Sequence, residues 1–138
     1  MAILWTPDLS LGVDEIDRQH QQLFAAVDKL IVAMTEGRGR GEVRQLVGFL
    51  DAYRVEHFRT EEGRMAEAGY PGLERHRRLH QIFTDDVGNL VAQLEHSGPS
   101  SSLAIEVNTR VAQWLRSHVM AEDKAFGDFL RQTQVAIR

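Results

Sequence analysis

Apolar residues recur at helical spacing along most of the chain, and four stripes can be followed in turn. In the first, from about Asp14 to Glu36, Ile16, His20, Leu23, Val27, Leu30 and Met34 advance by alternating steps of four and three. That rhythm keeps one face of an α-helix toward a core. Asp14 reads as the N-cap, and Asp17 adds negative charge to the first turn, where the helix dipole favours it. Gly37-Arg38-Gly39-Arg40-Gly41 reads as a glycine-rich turn that ends the helix. The second stripe, on a helix from about Glu42 to Ala68, carries Leu46, Leu50, Tyr53, His57, Glu61 and Met65. Gly69-Tyr70-Pro71-Gly72 stops it, since proline just after a glycine cannot continue a helix. The third, about Leu73 to Glu95, carries Leu73, His76, His80, Phe83, Val87, Leu90 and Leu94, and His96, Gly98 and Pro99 close it. Ser100–Ser102 offer N-caps for a fourth, from about Leu103 to Ala121 or beyond, marked by Leu103, Val107, Val111, Trp114 and His118.

The flanks are less regular. Residues 1–13 read as an extended arm broken by Pro7 and Gly12, with Trp5 pinning it to the helices. The tail, Lys124 to Arg138, holds Phe126, Phe129, Leu130 and Ile137 and reads as a short terminal helix. Four helices of about twenty residues joined by short turns predict an all-α protein, an antiparallel up-down-up-down four-helix bundle. The 138 residues are expected to form one domain.

Composition narrows the function. Hydrophobic residues make up 43% and charged residues 26%, ordinary for a globular chain. The net charge of −4, with no basic cluster, argues against nucleic acid or an anionic membrane as partner. There is no cysteine, which excludes disulfides, iron–sulfur clusters and thiolate zinc sites. The N-terminus holds no long apolar run, so neither a signal peptide nor a membrane span is expected, and a cytoplasmic location is.

The chemistry lies in the stripes. Of six histidines, His20, His57, His76, His80 and His118 occupy core-facing positions, and only His96 is expected in a loop. Histidine is not a typical core residue. His57 and Glu61, and His76 and His80, are i, i+4 pairs, stacked one turn apart on one helix face. In an antiparallel bundle His20 (early), His57 (late), His76 and His80 (early) and His118 (late) all fall at the same end. Glu61 and Asp123 join them. Asp123 follows His118 by five residues, about 500° around a regular helix, so a shared site needs a local departure from α geometry.

Buried imidazoles and carboxylates need partners: a lone buried charge costs several kcal/mol or is neutralised. A metal resolves this by taking a lone pair from each. Five nitrogens and two carboxylates exceed one tetrahedral zinc, whereas two metals with bridging carboxylates fit. Imidazole suits iron, zinc, copper and nickel, and a count near six with mixed donors favours iron. The set is histidine-rich and carboxylate-poor compared with the Glu-x-x-His motifs of helical-bundle di-iron carboxylate enzymes.

Trp5, Gly12-Val13-Asp14, Ile16-Asp17-Arg18-Gln19-His20, His57-Phe58-Arg59-Thr60-Glu61-Glu62, Met65, Gly69-Tyr70-Pro71, His76-x-x-x-His80 and the run Trp114 to Asp123 resemble a bacterial hemerythrin, over nearly the whole chain. The resemblance implies two iron ions, oxo- or hydroxo-bridged, that bind dioxygen reversibly. It implies that His76, His80 and His118 hold one iron, that His20 and His57 hold the other, and that Glu61 and Asp123 bridge them. Dioxygen is then expected at the position left open on the two-histidine iron. Leu23, Phe58, Trp114, Leu115 and Val119, each one turn or one residue from a ligand, are the candidates for its apolar lining, with plain core packing as the rival reading. Gln19 and Asp17 are candidate partners behind the ligands, and Tyr53 and Tyr70 candidate hydrogen-bond donors. Glu62 should point about 100° away from Glu61. Two rival functions share the site: a di-iron enzyme handling peroxide or nitric oxide, and a sensor of oxygen or iron. The bundle nearly consumes the chain, so signalling is expected to need a separate protein partner.

Overall fold

The structure, a computed structural model, describes residues 4–137, with side chains through residue 133. Met1–Ile3, Arg138 and the side chain of Ile137 lie outside the described residues. A 3-10 turn, Pro7–Leu9, breaks the arm. The helices are α1 (Asp14–Thr35), α2 (Gly39–Ala68), α3 (Leu73–Ser97) and α4 (Ser101–Trp114). A π-helical segment, Leu115–Asp123, continues α4 without interruption into α5 (Lys124–Ile137). α1 packs on α2 and α4, and α3 on α2 and α4, which closes the bundle. No helix among the described residues is long and apolar enough to cross a membrane.

The stripes are buried as their spacing requires. All six positions expected of α2, including His57 and Glu61, are buried. In α1, Ala33 is buried and Met34 only packs against the core from its edge. Ser100 caps α4 as expected, its hydroxyl accepting from the Leu103 amide at 3.0 Å. Gly69 ends α2 in the left-handed conformation, φ 66°, that glycine adopts without strain.

Four boundaries differ from the sequence reading. Val13, not Asp14, stands at the cap of α1: its carbonyl accepts the first helical bond, from the Asp17 amide at 2.9 Å, and Asp14 is already helical. Its carboxylate therefore acts through the dipole rather than as a cap. α2 starts at Gly39 rather than Glu42, because Gly37 alone of the three turn glycines takes a positive φ. α3 runs to Ser97, so His96 is an exposed residue of its last turn and not of a loop. The arm is not extended throughout, since Pro7 sets the 3-10 turn.

Two apolar clusters fill the bundle. The larger spans all four long helices and includes Leu23, Leu50, Phe58, Val87, Val111, Leu115 and Val119; Trp5 packs against it, which ties the arm down. The smaller, Leu11, Ile16, Met65 and Phe126, closes one end, with Tyr70 and Phe129 at its margin. Asp17, expected behind the ligands, instead holds the arm over this end. It accepts from the Ser10 hydroxyl at 2.5 Å and the Leu11 amide at 2.9 Å. A Cβ on Gly127 would lie 3.0 Å from the Leu11 Cα, so the arm crosses α5 where glycine leaves room. The conspicuous polar layer of the interior lies between these clusters, where His20, His57, Glu61, His76, His80, His118 and Asp123 are all buried.

Candidate metal centre

All seven residues singled out from the sequence meet in that layer, and each histidine turns Nε2 toward it. The five-residue step from His118 to Asp123 is accommodated by the π-helical segment, which widens the turn so that residues five apart share a face. The side chains sort into two overlapping groups of donors, Glu61 with His76, His80 and His118, and His20, His57, Glu61 and Asp123, each within 4.8 Å of one another.

The carboxylates stand between the groups. Glu61 Oε1 lies 2.6 Å from His76 Nε2 and 3.1 Å from His80 Nε2, while its Oε2 lies 3.1 Å from His57 Nε2 and 3.4 Å from His20 Nε2. Asp123 repeats the pattern. Its Oδ1 is 2.7 Å from His76 Nε2 and 3.0 Å from His118 Nε2, and its Oδ2 is 3.0 Å from His20 Nε2. Glu61 thus offers one oxygen to His76, His80 and, at 3.6 Å, His118, and the other to His57 and His20, while Asp123 offers one oxygen to His76 and His118 and the other to His20.

These separations suit shared cations. Two donors about 2.1 Å from one metal and at right angles stand about 3.0 Å apart. Protons alone serve the layer poorly. Glu61 Oε2, Asp123 Oδ2 and His20 Nε2 are buried without a hydrogen-bond partner, and His80 and His118 face each other Nε2 to Nε2 at 3.2 Å. Without metal, charge is shared unevenly. Burial opposes protonation of His20 and His76, but the neighbouring carboxylates of Asp123 and Glu61 prevail and raise them to about 10 and about 9. His118 is also raised, against burial, by the charge of Asp123. Burial, helped by the charge of His20, carries His57 downward against the pull of Glu61. Burial favours the neutral forms of Glu61 and Asp123, yet the surrounding histidines hold Glu61 well below the usual carboxylate range and Asp123 at about 2.

Behind the ring nitrogens stand fixed partners. His57 Nδ1 donates to Gln19 Oε1 at 2.7 Å, and Tyr53 stacks on His57 while its hydroxyl donates to the Gln19 carbonyl at 2.9 Å. His80 Nδ1 donates to Glu62 Oε2 at 2.6 Å. Phe58 lies flat on His80 and Trp114 flat on His118, both at 3.8 Å between ring centres. Leu23, Leu115 and Val119 are buried in the larger apolar cluster. Gln19 is among the partners the sequence suggests. Glu62 is not, because its own partner is on the neighbouring helix and no spacing along α2 reveals it. Tyr70 stays with the capping cluster, beside Phe126.

Residues 11–130 match the family model described as hemerythrin HHE cation binding domain. The chain belongs to the hemerythrin family. Hemerythrin relatives include a bacteriohemerythrin of Stenotrophomonas maltophilia, 33% identical over 93% of this chain and 82% of its own length. A bacteriohemerythrin of Pseudomonas aeruginosa is 24% identical over 95% and 83%. The hemerythrin subunit alpha of Lingula reevii is 28% identical over 86% and 87%. The buried layer of imidazoles and carboxylates is the kind of donor set a cation-binding hemerythrin domain requires.

Proposed function

We propose that this hemerythrin domain holds two iron ions and binds dioxygen reversibly, for storage, delivery or sensing. The observation that carries this reading is the pair of two-faced carboxylates, Glu61 and Asp123, set between unequal histidine groups. His76, His80 and His118 would hold one ion, His20 and His57 the other, with both carboxylates bridging. Two irons held there supply the electrons for reversible dioxygen binding. The group with two histidines would leave its ion one protein donor short, which would give dioxygen room there.

The chain's own residues support carriage over catalysis. Tyr53 beside His57 spends its hydroxyl on the Gln19 carbonyl, and burial, then the charges of Glu61 and Asp123, raise it well above the ordinary phenol range. It keeps its proton and aims none at the centre. Leu23, Phe58, Trp114, Leu115 and Val119 would keep water away, which slows loss of bound ligand and irreversible oxidation of the metal.

The experiment is to load the protein with ferrous iron under argon and then cycle air and argon. A visible band that appears in air and fades on deoxygenation, over repeated cycles, is expected. Irreversible bleaching, or turnover of peroxide or nitric oxide well beyond one equivalent, would replace carriage with the enzymatic reading.

A further inference from the structure

The two histidine groups differ in number, and they also differ in what stands behind them. Gln19 and Glu62 occupy matching places, each on the Nδ1 of one histidine, at 2.7 and 2.6 Å. One is a neutral amide and the other a carboxylate.

The orientation of the Gln19 amide follows from its neighbours. The Thr60 hydroxyl donates its one proton to the Glu56 carbonyl at 3.0 Å. It can therefore only accept from Gln19, whose Nε2 lies 3.3 Å away. The amide oxygen must then face His57, and His57 must carry its proton on Nδ1. Its Nε2 lone pair is thereby fixed toward Glu61 and the centre. Glu62 makes the same selection for His80, since a carboxylate only accepts. Arg77 steadies Glu62, with its Nε at 3.3 Å, and also bonds Glu74.

The two partners select the same tautomer but differ in charge. A carboxylate draws the Nδ1 proton toward itself and enriches the opposite nitrogen, making the imidazole a stronger donor. An amide oxygen does so much less. We propose that Glu62 and Gln19 are positioning residues that make the two metal positions unequal: Glu62 strengthens the three-histidine position, and Gln19 orients His57 without strengthening the two-histidine position. The asymmetry keeps the position with fewer donors electron-poor and slow to oxidise on its own. This inference rests on the two-metal reading above, but not on dioxygen binding.

The test exchanges charge at constant shape. Cobalt(II), a divalent probe indifferent to air over the measurement, is titrated into metal-free wild type, Glu62→Gln, Gln19→Glu and Glu74→Gln against a competing chelator. Wild type should fill in two unequal steps. Glu62→Gln should weaken the tighter step by about tenfold or more. Gln19→Glu should tighten the weaker step and bring the two together, and Glu74→Gln, which shares Arg77 but touches no histidine, should change neither. With iron, Gln19→Glu should lower the midpoint potential of one iron by about 59 mV for a tenfold shift of its one-electron equilibrium. A merely structural role would not move that potential. Equal steps in wild type, or steps and potentials in Glu62→Gln and Gln19→Glu that match wild type, overturn the inference. Failure of the air–argon cycle beside shifted cobalt steps would overturn carriage alone.

Discussion

His118 shows how much one side chain must satisfy. Its Nε2 lies 3.0 Å from Asp123 and 3.2 Å from His80, its ring is covered by Trp114, and its Nδ1 is buried without a hydrogen-bond partner. A metal bond at Nε2 would give this buried polar ring the partner that its neighbouring histidine cannot. Replacing it by alanine removes a donor from the better-furnished group. We expect His118→Ala to hold fewer than two irons per chain by metal analysis after gel filtration, with far-ultraviolet circular dichroism still helical. Two irons retained would remove His118 from the ligand set. Glu61, by contrast, is surrounded by His20, His57, His76, His80 and His118, so its loss should disturb both metal positions rather than one.

Among the elements, the π-helical segment does the least expected work. A regular helix would carry Asp123 some 140° past His118; the wider turn restores it to the shared face. One alanine inserted between Ala121 and Glu122 should rotate Asp123 out of the layer. The expected result is loss of tight iron binding, measured by chelator competition, with helix content retained. Unchanged affinity would show that Asp123 is dispensable. The capping cluster makes a separate demand. Phe126 is fully buried, and Phe126→Ala should cost about 3–5 kcal/mol in chemical denaturation. It should also speed iron release to a chelator, since Phe126 follows Asp123 by one turn in the cluster that closes that end of the bundle. Ile82→Ala, at an exposed position, should stay within about 0.5 kcal/mol of wild type. The helices were legible in the sequence because a stripe with steps of four and three leaves few alternatives. So was the meeting of seven donors, because antiparallel helices bring early and late positions to one end. The five-residue step announced a distortion without naming its form. What stayed hidden depends on neighbours in space: Glu62 reaches across to α3, Asp17 turns back to the arm, and the start of α2 hangs on which glycine bends.

For the whole molecule, the metal-free fold depends on proton sharing in a dry layer. His20 at about 10 and His76 at about 9 lie above the ordinary imidazole value of about 6.5. The stability they lend is complete below about 6.5 and is lost as pH rises through their folded values. His57 has the opposite sign: pushed down by burial, it favours the fold above about 6.5 and loses that contribution in acid. Asp123, held at about 2, contributes above its ordinary value of about 3.9 and loses that contribution as pH falls toward 2. Chelator-treated protein should therefore melt at falling temperature as pH rises from about 6.5 to about 10. Iron-loaded protein should not follow, because its imidazoles hold metal in place of the shared protons. Parallel curves for the two forms would mean that the layer does not carry the metal.

The central claim is spatial, and anomalous diffraction tests it most directly. Crystals of the iron-loaded protein, measured at the iron edge, should show two peaks joined by Glu61 and Asp123. One should lie among His76, His80 and His118, and the other beside His20 and His57. A single peak, peaks outside this layer, or none at all would contradict the account.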